Sequence, residues 1–372
     1  MAAAGEDNGQ IGGPAAKPVG CRAGRRDAGL ERVRVGRDAG AGPDTVGVVA
    51  ALRLTSSHRF TILRVMSRAE VIALFGPTGV GKTDVAVALA QQLHEHGQRP
   101  VAVSADALQV YAGLETLTGV ADATQRTALE HRLISFLPID AQFSAGQYAE
   151  LAHAEIDNLL AEGLRPLVVG GTGLYLRAAL TDLRLRPAPP EEVRERWLQQ
   201  LERLGAPALH AVLGERAPWA AQQIAPSDRQ RVVRALELLD IGELEPIAEE
   251  SQLWTTEVRH PTLLVGLVME RDQLYRRIDD RVEGMVVAGV VEEVRAAHAA
   301  GASLTARKAL GFEELLAGDV AAMKRRTRNY ARRQLTWMRK LAAVEELDLT
   351  ERSPQSAAAE ILELWLNPTA PA

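Results

Sequence analysis

The sequence predicts an α/β fold in which a parallel sheet is flanked by helices and interrupted by an all-helical insertion. Three observations predict it. From residue 70 onward, short apolar runs alternate with stretches of helical period, the pattern of strand–helix–strand units. A glycine-rich turn, Gly76-Pro-Thr-Gly-Val-Gly-Lys-Thr83, separates the first such run from the first such helix. Between 186 and 255 the strands stop while helical periodicity continues.

Val71–Phe75 is a short run of apolar residues and reads as a buried strand. Residues 84–93 follow with helical character, and Pro100–Ser104 is a second strand. Apolar residues at helical spacing mark 144–161, a third strand follows at 164–169, and 172–180 resumes as helix. Arg186-Pro-Ala-Pro-Pro190 then breaks the chain. Glu191–Leu204, 207–213 and 228–239 read as consecutive helices with no strand between them. A strand returns at 261–268, 272–300 and 307–345 are long helical stretches, and 354–366 closes the chain. The domains expected are therefore a core of 67–185 and 256–368 and a helical insertion of 186–255.

Residues 1–66 differ from the rest. They hold 11 Gly and 11 Ala without a sustained apolar period, too little bulk to offset the entropy of ordering them. A low-complexity, disordered extension is expected, with Met66 as the point where a compact chain would begin. Its six acidic residues and the lack of an apolar core after a charged start argue against a secretory signal.

Composition excludes several classes. Hydrophobic residues make up 47% and charged residues 24%, which is globular rather than disordered. No apolar run reaches the ~18 residues of a membrane helix, so a soluble protein is expected. Cys21 is the sole cysteine, which rules out an internal disulfide and a cysteine-based zinc site and suits an intracellular protein. The net charge of −5 hides a polarity: residues 307–340 carry 10 basic and 3 acidic residues. A dense basic segment on an acidic body points to local contact with a polyanion, or to a solvated helix face.

The turn at 76–83 matches G-x-x-x-x-G-K-[ST] with a strand before and a helix after, the context the motif needs. Gly76, Pro77, Thr78, Gly79, Val80 and Gly81 form the turn, and its backbone N–H groups, which Pro77 alone lacks, can curl around a phosphate. The helix start adds its positive dipole end. Lys82 adds a full charge, and Thr83 offers a hydroxyl to Mg²⁺. The loop binds a di- or triphosphate; it does not say which.

Asp106 follows the second strand, and ligands of open α/β sheets sit beyond the carboxyl ends of the strands. Its carboxylate could bind Mg²⁺, could take a proton from a nucleophile, or could simply cap a helix.

At this point the motifs become specific. Gly76–Thr83, then Ser104-Ala-Asp-Ala-Leu-Gln-Val-Tyr111, then Val169-Gly-Gly-Thr-Gly-Leu-Tyr175, in that order, resemble the tRNA dimethylallyltransferase family. Asp228-Arg-Gln-Arg-Val-Val-Arg-Ala-Leu-Glu237, Arg277-Ile-Asp-Asp-Arg-Val282, Lys308-Ala-Leu-Gly-Phe312 and Thr327–Arg339 extend the resemblance over about 70–366. The chain departs from the family after Tyr111. Glu115-Thr-Leu-Thr-Gly-Val-Ala121 stands where the family has Gly-Thr-Ala-Lys, so the lysine is missing. The eukaryotic members' zinc finger is also absent from the sequence.

The resemblance implies a reaction: dimethylallyl diphosphate gives its prenyl group to N6 of the adenosine just 3′ of a tRNA anticodon. It implies a catalytic set of Asp106 as base, with Lys82, Thr83, Mg²⁺ and Arg281 on the leaving diphosphate. On helix register alone, Arg281 would sooner pair with Asp279 or Glu283. The resemblance assigns tRNA contact to Asp106, Ala107, Leu108, Gln109, Thr172, Arg194, Gln230, Arg231, Val232, Val233 and Arg234. The basic helix then has a role, with Arg325, Arg326, Arg328, Arg332 and Arg333 tracking the RNA backbone. A cytoplasmic monomer is implied. A P-loop kinase acting on a small hydroxyl substrate is the competing reading, and an RNA-binding NTPase switch the third. The second lacks a recognisable arginine lid, and the third lacks an aspartate at the end of Leu167-Val-Val-Gly-Gly-Thr172.

Overall fold

In the computed structural model, which describes residues 69–246 and 252–368, the chain enters the fold through β1 (Val71–Phe75), buried at every position. The extension expected over 1–66 lies outside the described residues. α1 (Lys82–Glu95) follows, then β2 (Pro100–Ser104), two short helices α2 (Glu115–Thr118) and α3 (Ala123–Ala128), and a two-residue strand β3 (His131–Arg132). α4 (Ala145–Ala161) starts at a reciprocal cap in which Ser144 and Gln147 bond each other's backbone N–H. β4 (Arg165–Gly170) and α5 (Gly173–Leu180) complete the first half of the core.

All six strands are parallel. They lie in the order β3-β2-β4-β1, then β5 (Thr262–Val268) and β6 (Val344–Asp348). Side chains of β1 alternate between two cores, as a pleated strand requires. Val71, Ala73 and Phe75 join one apolar cluster, and Ile72 and Leu74 join the other. The first cluster is covered by α4, α5, α11 (Val290–Ala299) and α12 (Phe312–Leu316). The second is covered by α1, α10 (Arg271–Val287) and α14 (Pro354–Leu366). α13 (Val320–Met338) packs beside α10.

The insertion is helical, as expected: α6 (Glu191–Leu204), α7 (Ala206–Arg216), α8 (Pro218–Gln223) and α9 (Arg229–Asp240). It has an apolar core of its own, built from Trp197, Leu201, Leu209, Leu213, Val232 and Leu236. No described helix is long and apolar enough to cross a membrane.

Two helical expectations are corrected. The stretch 307–345 is not one helix: it breaks at Gly311 and Gly318, both at positive φ, and ends in β6. β6 reads Val-Glu-Glu-Leu-Asp, and of its side chains only Leu347 is buried, so its apolar pattern is too thin to reveal a strand. Pairing with β5, not local propensity, makes it one. The stretch 272–300 likewise divides at Gly289. β3 has no counterpart among the expected strands because two residues carry no period.

Register fixes where the site must be. Phe75 lies beside Gly170, and Ser104 beside Val169, so the loops leaving β1, β2 and β4 emerge together on one rim.

Trp365 anchors the closing helix against this arrangement. It is 1% exposed, and its indole N–H donates to the Ala69 carbonyl at 2.8 Å, just ahead of β1. Trp365→Ala should lower unfolding stability in urea by about 3–5 kcal/mol, whereas Trp365→Phe should lose about 1–2. Equal losses would mean that the indole hydrogen bond, not the filled volume, holds the helix.

Candidate active site

The loop between β1 and α1 turns through Gly79 at φ 85° and Gly81 at φ 102°, the left-handed region that glycine alone enters cheaply. Lys82 lies under it, its Nζ donating to the carbonyls of Gly76 and Pro77 at 3.0 Å each. Burial drives the Lys82 ammonium down to a pKa of about 8; Asp106 opposes the shift and Arg281 adds to it.

The loop is held from outside by one side chain. The Thr78 N–H donates to Gln334 Oε1 at 2.9 Å, and Gln334 Nε2 donates to the Gly171 carbonyl at 2.7 Å. Gln334 is only 5% exposed, so its amide staples the β1 loop to the β4 loop in a dry setting.

Asp106 leads the loop after β2. Its Oδ1 accepts from the Leu108 N–H at 3.0 Å, which orients the carboxylate within a tight turn. The Ala107 N–H donates to Thr172 Oγ1, and Thr172 in turn meets the Tyr330 hydroxyl, each at 3.4 Å. Burial first, and then the Asp106 charge, push the Tyr330 phenol up to about 12, so it remains a neutral hydrogen-bonding group at physiological pH. α13 therefore holds the phosphate loop through Gln334 and the Asp106 loop through Tyr330.

Arg281 faces the same space. Asp279 and Glu283, each two residues away on α10, face other sides of the helix: Asp279 binds Arg328 at 2.6 Å, and Glu283 binds Lys324 at 2.5 Å. Among the described residues Arg281 has no ion pair. Burial lowers its pKa, against the attraction of Asp106 and Asp84. Gly119 makes room for it, since a Cβ at that position would overlap the guanidinium. Arg281 thereby brings a cation to the 115–121 segment. Arg277, one turn earlier on α10, reaches over Gly81.

These groups line one cavity of about 760 Å³. Thr78, Gly79, Gly81, Lys82, Thr83 and Asp106 face it, as do Ala107, Leu108, Gln109, Thr172, Gln230 and Arg281. Gly76 and Pro77 meet it only through the carbonyls that hold Lys82, and Val80 is buried behind the loop. No described cluster of three His, Cys, Asp or Glu could cage a metal. The donor set instead suits Mg²⁺ held largely by phosphate oxygens, with the Thr83 hydroxyl at the helix start.

The remaining expected RNA contacts divide. Arg231 is exposed beside Asp228, and Arg194 lies near Tyr111 and Lys308. Val232 and Val233 are buried in the insertion's core and present no side chain outward. Arg234 bonds Glu237 and the carbonyls of Arg186 and Pro187. Gln109 accepts from Ser104 Oγ at 2.9 Å and donates to the Gly119 carbonyl at 3.1 Å, so its amide braces the cavity wall. Arg326 is tied to Glu314 at 2.6 Å, and Arg328 to Asp279. Sequence reasoning missed the roles of Gln334, Tyr330 and Arg277. The signal available was that 330, 334 and 337 recur at helical spacing on α13.

Residues 109–341 match a family model described as IPP transferase. A tRNA dimethylallyltransferase of Kineococcus radiotolerans is 40% identical over 79% of this chain and 96% of its own length. The chain belongs to the tRNA dimethylallyltransferase (IPP transferase) family. A relative from Geobacillus thermodenitrificans with the same name is 35% identical over 80% of this chain and 95% of its own. Among solved structures, the tRNA isopentenylpyrophosphate transferase of Bacillus halodurans matches with a TM-score of 0.56 at 32% identity, covering 78% of this chain and 93% of that one. A eukaryotic dimethylallyltransferase acting on tRNA matches with a TM-score of 0.62 over 81% of each chain; at 22% identity this likeness is of fold alone. The α/β core with its phosphate loop is thus the fold of the tRNA dimethylallyltransferase family.

The staple yields a test. Gln334→Leu keeps the volume but strands the Thr78 N–H and the Gly171 carbonyl. Stability should fall by about 1–3 kcal/mol. The KM for the diphosphate donor should rise at least about tenfold, in line with a misplaced binding loop. A stability loss with an unchanged donor KM would reduce Gln334 to a packing residue.

Proposed function

We propose that the chain transfers the dimethylallyl group of dimethylallyl diphosphate to N6 of the adenosine at tRNA position 37, releasing diphosphate. The observation that carries this reading is the meeting, in one cavity, of a cationic diphosphate loop with a carboxylate that has no ion pair among the described residues. Family membership supports the reaction, and nothing in the site favours the kinase reading.

The chemistry follows from the placement of charge. The adenine N6 attacks C1 of the allylic donor as the C1–O bond breaks, and negative charge gathers on the departing diphosphate. Lys82, Arg281 and Arg277 face that charge, and preorganised cations in a recessed site stabilise it without reorganising. Mg²⁺, when bound through Thr83 and the phosphate oxygens, would supply further Lewis-acid stabilisation. Asp106 receives the proton that N6 loses. Its acceptor is aimed by the Leu108 N–H, and the Thr172–Tyr330 contact fixes its loop.

The adenine must leave the anticodon loop to reach the rim, which costs a few kcal/mol. Thr172, Gln230, Arg333 and Tyr330 line the cavity where such a base would arrive, and Arg333 sits 5.5 Å from the Tyr330 ring centre. We assign the chain to the cytoplasm, where it would act as a monomer on tRNA.

Incubation with labelled dimethylallyl diphosphate and unmodified tRNA should place label in the RNA, whereas labelled ATP should leave none. Label from ATP alone would overturn the reading. Variants then separate the two sides of the reaction. Asp106→Asn retains an acceptor for the Leu108 N–H but loses the charge. Its kcat should fall by about 10²–10⁴-fold with donor KM near the parent value. Arg281→Ala should worsen both kcat and donor KM, because its charge meets diphosphate before and after cleavage. If Asp106→Asn instead abolished Mg²⁺-dependent donor binding and spared kcat, the carboxylate would be a metal ligand.

A further inference from the structure

α10 and α13 have two working faces. One lines the cavity, through Arg277 and Arg281 on α10 and Tyr330, Arg333 and Gln334 on α13. The other encloses a separate recess of about 290 Å³ lined by Arg271, Tyr275, Arg325, Arg328, Asn329 and Arg332. Two stripes at helical spacing face each other there, 271 and 275 against 325, 328, 329 and 332. The lining holds four arginines and no carboxylate.

The charge in this recess is only partly balanced. Asp279 takes Arg328 through both oxygens, at 2.6 and 2.7 Å. Asp319 reaches Arg325 only at 3.7 Å. Arg271 donates from Nε to the Tyr275 hydroxyl at 3.4 Å, and Arg332 donates to the Asn329 side chain. Among the described residues, neither Arg271 nor Arg332 has a carboxylate within 4.0 Å; Asp272 acts on Arg271 only at longer range. Tyr275 lies between two guanidiniums, with Arg271 at 5.7 Å and Arg328 at 5.9 Å from its ring centre. The guanidiniums are thus held in place while keeping N–H groups for an incoming anion. Their planar forks suit phosphate oxygens.

We propose that this recess is a second phosphate-binding site, which receives backbone phosphates of the tRNA anticodon stem while the loop adenosine occupies the cavity. The inference rests on the function proposed above. What selects a nucleic-acid backbone over a free anion is continuity. The recess and the cavity are lined by different faces of the same two helices. An RNA whose base enters the cavity brings a row of further phosphates to this helix pair, which a free anion does not. The site also narrows the role of the basic helix. Arg271, Arg325 and Arg332 would do the electrostatic work, whereas Arg326 and Arg328 are engaged by Glu314 and Asp279.

The test uses the whole chain carrying Arg271→Gln and Arg332→Gln together, two exposed residues outside the apolar cores. The tRNA Kd should rise roughly 5- to 20-fold at moderate salt, and the slope of log Kd against log salt should become shallower by about 1–2, one for each phosphate no longer neutralised. Donor KM should stay at the parent value. An isolated anticodon-loop oligonucleotide without its stem should bind parent and variant equally. An Arg271→Lys, Arg332→Lys chain should keep the parent salt slope, which separates lost charge from lost folding. Unchanged tRNA Kd and slope in the Gln variant would overturn the proposal, as would an equal loss for the stemless loop. Label transfer by the parent chain is measured in parallel. Its absence would defeat the functional reading, while its presence with an unaltered variant Kd would defeat the second site alone.

Discussion

Positive charge without a carboxylate ion pair among the described residues, gathered beside the end of one buried strand, is the constraint on which the rest of this molecule depends. Lys82 sits where burial has already taken its pKa down to about 8, with Arg281 close enough to depress it further. Such an arrangement is unfavourable in a ligand-free protein. It persists because the surrounding structure over-determines it: β1 is buried on both faces, the loop is turned by two glycines, and Gln334 ties it to the neighbouring loop. A diphosphate is the species that resolves the strain, and it does so at the point where it must later leave as an anion.

The pairing between α10 and α13 belongs to the same logic. Asp279 and Glu283 flank Arg281 in sequence, but residues two apart do not share a helix face, so both point away from it. Arg328 and Lys324 occupy them instead. These two ion pairs clamp α13 to α10, while Arg281, on another face of α10, has no carboxylate partner among the described residues. Each is half-exposed and of modest worth by itself. Their value lies in geometry, because α13 then delivers Gln334 to the leaving-group loop and Tyr330 to the Asp106 loop. The two halves of the reaction are held in register by one helix.

Much of this is legible in the sequence, for identifiable reasons. β1, β2 and the insertion helix Glu191–Leu204 have the limits expected of them because continuous apolar runs and breakers such as Arg186–Pro190 are local signals. The phosphate loop is legible because its residues serve backbone geometry and charge at fixed spacing. β6 is not, since an edge strand with one buried side chain has no pattern of its own. Gln334 is invisible for a related reason: its partners lie 256 and 163 residues away. Arg281 illustrates the middle case. Closeness in sequence suggests a pairing with Asp279 or Glu283, but residues two apart face different sides of a helix, and both carboxylates bind α13. Gln109, named as a tRNA contact, also has bonds to Ser104 and Gly119 that brace the cavity wall, and such long-range contacts carry no local sequence signal.

The central claim is that burial holds the Lys82 pKa down in the free protein and that a bound diphosphate raises it. Calorimetry of a non-reacting thio analogue of dimethylallyl diphosphate, in buffers of differing ionisation enthalpy, measures this directly. The analogue's own last ionisation, near pKa ~6, is complete by pH 8. With a free-state pKa of about 8, half of the Lys82 population is neutral at pH 8, and a bound polyanion raises the pKa. The account therefore predicts net proton uptake on binding at pH 8, with the uptake abolished in Lys82→Met. No uptake at pH 8 in the parent chain would contradict it, because Lys82 would then be fully charged before any ligand bound.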